Sequence, residues 1–176
     1  EFRGKTMSRA ELMGYSYDDD RATRKACYEA LGKRELLDIG EKLCACLMNQ
    51  FAEEGIPGHQ EIEIGLLRLY HVTGKKEYLD LCMKFLDRRG ADPDWFIRNT
   101  PAHPGISYGG YGIDPADTDY NQSYAPVREQ KDVRGHAVRM VYMLTAMADA
   151  AKRTGDEALL SACRVMIDNM ETRRMY

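Results

Sequence analysis

Apolar positions along this chain recur at helical spacing, in two distinct forms. Between residues 59 and 73, Ile62, Ile64, Leu66, Leu67, Leu69, Tyr70 and Val72 cover most of a helix circumference. That predicts a helix His59–Thr73 buried on both sides. The segment Lys75–Arg89 carries a single stripe, Tyr78, Cys82, Phe85 and Leu86, with Lys76, Asp80, Lys84 and Arg88 elsewhere, as expected of an outer helix. The contrast recurs. His136–Thr154 is nearly all apolar (Val138, Met140, Val141, Met143, Leu144, Met147), whereas Glu157–Asn169 has a narrower stripe through Leu159, Cys163 and Met166, extended by Met170. Two earlier helices fit Asp18–Leu31, opened by three aspartates that favour its N-terminal dipole, and Arg34–Phe51, with Leu36, Leu37, Ile39, Leu43, Cys44 and Leu47.

Glycines punctuate these elements at Leu31-Gly32-Lys33, Thr73-Gly74-Lys75 and Thr154-Gly155-Asp156. The first two landmarks lie 42 residues apart, a spacing typical of stacked helical hairpins. Inner helices buried all round, alternating with one-sided outer ones, favour a closed double ring over an open solenoid, which would leave one face of each helix wet. The fold class predicted is all-α. Residues 91–130 fit no period and hold five of the six prolines, with Trp95, Phe96, Tyr108, Tyr111, Tyr120 and Tyr124 among Gly105, Gly109, Gly110 and Gly112. A long loop of this kind suits stacking on a sugar face, or equally a cap with its own aromatic cluster.

Composition narrows the function. The chain is 44% hydrophobic and 30% charged with a net charge of −3, which gives no reason to expect nucleic-acid or membrane partners. The N-terminus shows no apolar signal segment. Five cysteines in helical patterns, Cys27, Cys44, Cys46, Cys82 and Cys163, read as buried free thiols in a reducing compartment, hence a cytoplasmic location. No P-loop, dinucleotide fingerprint, H-E-x-x-H or Cys-rich metal pattern is present.

The candidate chemistry sits at two helix starts. Pro57-Gly58-His59 opens one inner helix and Gly135-His136 opens another. An imidazole that both donates and accepts suits sugar hydroxyls, and two such mouths meeting in one pocket would make a site. Glu61, Glu63 and Glu129 lie close in sequence as hydrogen-bonding partners, and Arg128, Arg134 and Arg139 are expected to pair with these acids. Nothing in the spacing marks the paired carboxylates of an ordinary glycosidase. His71 reads as a packing or surface residue, and His103 has no assigned role.

The runs Pro57-Gly58-His59-Gln60-Glu61-Ile62-Glu63-Ile64, Tyr120-Asn121-Gln122-Ser123-Tyr124-Ala125-Pro126-Val127-Arg128-Glu129-Gln130 and Gly135-His136-Ala137-Val138-Arg139 resemble glycoside hydrolase family 127, which is β-L-arabinofuranosidase-like. The resemblance covers about residues 30–176. It implies an (α/α)6 barrel followed by β-sandwich domains, and retaining hydrolysis of terminal L-arabinofuranosides by a zinc-bound cysteine nucleophile with a glutamate acid/base. It also makes His59 and His136 substrate-binding histidines. Two departures follow: residues 10–18 lack histidines that the family carries there, and Tyr124 replaces a usual histidine. The family's zinc ligands and catalytic Cys and Glu fall outside this chain, so no catalytic or metal residue is assigned. Six helices of roughly twelve make about half a ring, a fragment of the barrel expected to be inactive alone and to need the rest of its own catalytic domain. The rival expectation is a helical-repeat interaction module, in which the two histidines would diverge.

Overall fold

The structure is a computed structural model that describes residues 32, 34–99 and 117–174. Among the described residues six helices run in order: α1 (Arg34–Gln50), α2 (Glu61–Thr73), α3 (Lys76–Arg88), α4 (Trp95–Asn99), α5 (Ala137–Thr154) and α6 (Glu157–Arg173). There is no strand among the described residues, as expected of an all-α chain. The helix expected at Asp18–Leu31 lies outside them.

Two tight hairpins, α2–α3 and α5–α6, form the frame. Inner helix α2 packs directly on inner helix α5, with α1 against α2 and α3 against α5. Gly74 (φ +70°) and Gly155 (φ +71°) end the inner helices in the left-handed conformation, their N–H groups donating to Tyr70 O and Ala151 O. Gly32 shares that conformation at φ +65°, so the three landmarks match in backbone as well as in sequence. After Gly155, the Asp156 carboxylate accepts from Leu159 N and starts α6.

One core joins the layers. Leu66 and Leu67 of α2, Phe85 and Leu86 of α3, Met143 and Met147 of α5, and Leu159 and Met166 of α6 are all buried in it. Phe51 meets Phe85 edge to face at 5.2 Å, and the Arg88 guanidinium ties down the end of α1 by donating to Phe51 O and Glu53 O. The outer-helix stripe Tyr78, Cys82, Phe85 and Leu86 is buried throughout, as its periodicity predicts.

Three expectations need correction. Inner helix α5 packs on α2, α3 and α6 but is not covered on every side, Val138 and Val141 being 49% and 46% exposed. Cys44, Cys82 and Cys163 are buried free thiols, but Cys46 is exposed. Two residues turn a helix about 200°, which carries Cys46 away from the face that buries Cys44. Finally, residues 91–130 are not structureless, since Trp95–Asn99 forms the short α4, begun by Trp95 N donating to Asp92 O. Cys27 lies outside the described residues. No helix among those described is long and apolar enough to cross a membrane.

Candidate functional site

The turn before α2 sets the first histidine. Ile56 is buried with Trp95 and Phe96 in a small second cluster, which anchors the turn from below. Gln60 precedes α2 without capping it. Its amide instead crosses the molecule, donating from Nε2 to Asn121 O at 3.1 Å and to Gln122 Oε1. The Glu61 N–H donates to His59 Nδ1 at 3.4 Å. The His59 ring also rests edge-on against Tyr142 of α5, with centroids 5.5 Å apart.

The second histidine is the residue at the N-cap of α5, in extended conformation and with no capping bond from its side chain. His136 is exposed and meets the Tyr120 ring at 5.7 Å, nearly perpendicular. Gly135 makes this approach possible. It sits at φ +71°, and a Cβ built there would lie 1.9 Å from Asp119 O. The turn carrying Tyr120 is held locally, with Asp119 N donating to Asp117 Oδ1 and Asn121 N to Asp117 O.

Arg139 joins the two halves. From the first turns of α5 its guanidinium donates to Gly58 O, next to His59, and to Asn121 Oδ1 at 3.1 Å. The same group lies 4.3 Å from the centre of the Tyr120 ring, which contacts His136. Arg89, fully buried at the end of α3, donates to Pro57 O and Asn121 O, 3.7 Å from the equally buried Glu63 carboxylate. His59 and His136 therefore stand at adjacent helix mouths, connected by a continuous run of contacts.

The other predicted partners fall elsewhere. Glu63 lies 3.7 Å from Arg89, and Glu129 is exposed. Arg128 pairs with Asp87 and Asp156, and Arg134 with Asp119 and Asp132, so the pairing acids are aspartates and not the three glutamates. The hydrogen bond from Arg128 holds the Asp156 carboxyl below its ordinary value of 3.8. Tyr124 lies under the Arg134 guanidinium and donates to Asp132 O, while burial pushes its hydroxyl up. Trp95 and Phe96 are buried, the capping role rather than the stacking one. His71 is exposed, 3.0 Å from Arg153. His103, Tyr108 and Tyr111 lie outside the described residues. A cleft of about 710 Å³ lined by Asp119, Arg134, Gly135, Ala137, Val141 and Met170 borders the approach of Asp119 to Gly135 and runs along α5 past Ala137 and Val141. Sequence reasoning missed Tyr142, although it sits three residues beyond Arg139 and six beyond His136, within one helix flank.

A zinc site finds no support among these residues. No three His, Cys, Asp or Glu side chains gather among the described residues, and burial pushes the Cys82 and Cys163 thiols up, opposite to a metal-bound thiolate. The described part of the chain does not fit the ion.

With the geometry established, comparison with known proteins is direct. The family model described as "Beta-L-arabinofuranosidase, GH127 catalytic domain" matches residues 17–176. The chain belongs to glycoside hydrolase family 127. It is 34% identical over 156 residues to a non-reducing end β-L-arabinofuranosidase of Bifidobacterium longum, covering 86% of this chain and 24% of that protein. The crystal structure of a GH127 β-L-arabinofuranosidase from Geobacillus stearothermophilus T6 superposes with a TM-score of 0.77 at 39% identity, covering 89% of this chain and 25% of that one. A second GH127 β-arabinofuranosidase gives a TM-score of 0.75 at 31% identity, covering 97% and 25% of the respective chains. The chain thus spans about a quarter of the length of these GH127 relatives, and its double layer of helices is part of an (α/α)6 barrel.

Proposed function

We propose that this segment is a fragment of the catalytic barrel and forms one wall of the sugar pocket of a glycoside hydrolase acting on terminal β-L-arabinofuranosides. The observation that carries the reading is the bridge from the Gly58-His59 turn through Arg139 and Tyr120 to His136. In this role His59 offers a ring N–H to a hydroxyl oxygen, and His136 supplies a second imidazole across the Tyr120 face. The nucleophilic thiolate, its zinc and the acid/base glutamate belong to other parts of the catalytic domain. The half-exposed Val138 and Val141 support a further wall of helices packing against α5. The buried free thiols support a reducing, cytoplasmic setting.

The test is titration of the protein with methyl β-L-arabinofuranoside, followed by the histidine ring signals in NMR. His59→Ala and His136→Ala are each expected to weaken binding about tenfold or more, equivalent to about 1.4 kcal/mol. Wild-type affinity in both variants would overturn the reading. In the full-length enzyme the same substitutions are expected to lower kcat/KM on an arabinofuranoside by a similar factor.

A further inference from the structure

We infer that Arg89, Arg139 and Asn121 form a clamp that sets the placement of the two histidines, with Arg139 a positioning residue acting through the Gly58-His59 turn. The inference rests on the proposed sugar-binding role of those histidines. Both arginines bridge the same two segments. Arg89 donates from Nη2 to Pro57 O at 2.8 Å and from Nη1 to Asn121 O at 2.9 Å. Arg139 donates from Nη1 to the next carbonyl along, Gly58 O, and to the side-chain oxygen of the same asparagine at 3.1 Å. Two consecutive carbonyls of one turn are thus tied to the two oxygens of one residue in the other.

The chemistry of the clamp explains the residue types. Arg89 uses the planar fork of its guanidinium, Nη1 and Nη2 each holding one acceptor at a set separation, whereas Arg139 serves both acceptors from Nη1 and lays its guanidinium over the Tyr120 ring. Asn121 has only 2% of its surface exposed and uses its backbone carbonyl for Arg89 and Gln60 and its amide oxygen for Arg139. The buried charge of Arg89 is opposed by the buried Glu63. Gly90, directly after Arg89, lets the Ala125 carbonyl come to 1.9 Å from where a Cβ would sit, so the loop seats closely on the end of α3.

The consequence for the histidines is geometric. His59 follows Gly58 directly, so fixing the Gly58 carbonyl fixes the backbone from which the imidazole projects. Asn121 follows Tyr120 directly, and Tyr120 sits between the Arg139 guanidinium and His136. Tyr142, against which His59 packs, lies one turn beyond Arg139 on α5. Loss of Arg139 releases both contacts together.

The experiment measures ring-to-ring NOEs for the His59–Tyr142 and Tyr120–His136 pairs, alongside affinity for methyl β-L-arabinofuranoside, in wild type, Arg139→Met, His59→Ala and the double variant. Arg139→Met is expected to abolish both NOEs and weaken probe binding about tenfold, with helical circular dichroism retained. The double variant is expected to lose less than the sum of the two single losses, because part of the effect of Arg139 runs through His59 and only the part through His136 is left to lose. Retained NOEs in Arg139→Met, or losses that add in the double variant, would overturn the clamp. Should Arg139→Met fail to fold, Asn121→Ala removes only the amide contacts of that side chain and is expected to broaden or lose the same NOEs; unchanged NOEs there overturn the clamp equally. A wild type that shows both NOEs, loses them in Arg139→Met, and does not bind the probe supports the clamp and refutes the sugar reading. A wild type that binds, with Arg139→Met binding equally well, does the reverse.

Discussion

Replacing Gly135 by alanine tests whether the approach of the Tyr120 turn to His136 is enforced by the backbone. Gly135 and Gly155 have the same φ, +71°, but differ in their surroundings. A Cβ at Gly155 would meet nothing within 4 Å, whereas at Gly135 it would lie 1.9 Å from Asp119 O, 2.4 Å from Asp119 C and 2.9 Å from Tyr120 Cα. Both substitutions place an L-residue in the left-handed region, at about 1–2 kcal/mol. The restricted unfolded chain offsets about 0.4–1 kcal/mol of that. Gly155→Ala should therefore destabilise by about 1 kcal/mol. Gly135→Ala adds an overpacking cost of about 1–3 kcal/mol against backbone atoms that cannot rotate aside, for a total of roughly 2–4 kcal/mol. With a urea slope of about 2 kcal/mol/M, the midpoints should fall by about 0.5 M and about 1–2 M respectively. The atoms displaced belong to Asp119 and Tyr120, so Gly135→Ala should also lose the Tyr120–His136 ring contact. Equal midpoint shifts for the two variants, with that contact intact, would refute the reasoning.

Other expectations follow from the same geometry. Asp156 is held below 3.8 mainly by its hydrogen bond from Arg128, so the stabilisation is present above that pH and lost as pH falls through the depressed folded value. The stability gap between wild type and Arg128→Met should accordingly narrow below about pH 3.8, and a gap that stays constant into stronger acid contradicts the assignment. Arg89→Met removes one partner of a fully buried pair and should cost about 3–5 kcal/mol in urea unfolding; a cost under about 1 kcal/mol would place the ion pair in water instead. Among the described cysteines, iodoacetamide should modify Cys46 in the native protein and reach Cys44, Cys82 and Cys163 only in denaturant, as read by peptide mass spectrometry. Native labelling of Cys82 would contradict its burial.

The sequence made the helices legible where periodicity and punctuation agreed. Leu66, Leu67 and Leu69 beside a terminating Gly74 announce an inner helix without help from tertiary structure, and the stripe Tyr78–Cys82–Phe85 announces its outer partner. The two histidines were legible as helix-start residues because Pro57-Gly58 and Gly135 precede them. What joins them was not. Arg89 reads as one more charged residue closing an amphipathic helix, and only the arrival of the 117–124 turn over α3 makes it buried. Val138 and Val141 have core composition and exposed positions, since periodicity reports what a helix face can bury and not whether a neighbour is there. Arg128 found Asp87 and Asp156, both more than ten residues away in sequence, and Arg134 found Asp119 and the near neighbour Asp132, in place of the nearby glutamates, a choice made by loop geometry that spacing alone does not encode.

The hydrogen bonds that tie the two histidine-bearing turns together also bear on the order in which the molecule assembles. Each helical hairpin closes through a two-residue reversal, so α2–α3 and α5–α6 can form from contacts local in sequence. The link between the two turns cannot. Gln60 reaches Asn121 across 61 residues and Arg139, on α5, reaches Gly58 across 81, and each bond has one end in a turn outside the helices. Long loop closure must precede any gain from such bonds, which places them late on the folding route. The hairpins are thus the early, self-sufficient units, and the residues proposed to meet the sugar are the last to find their places.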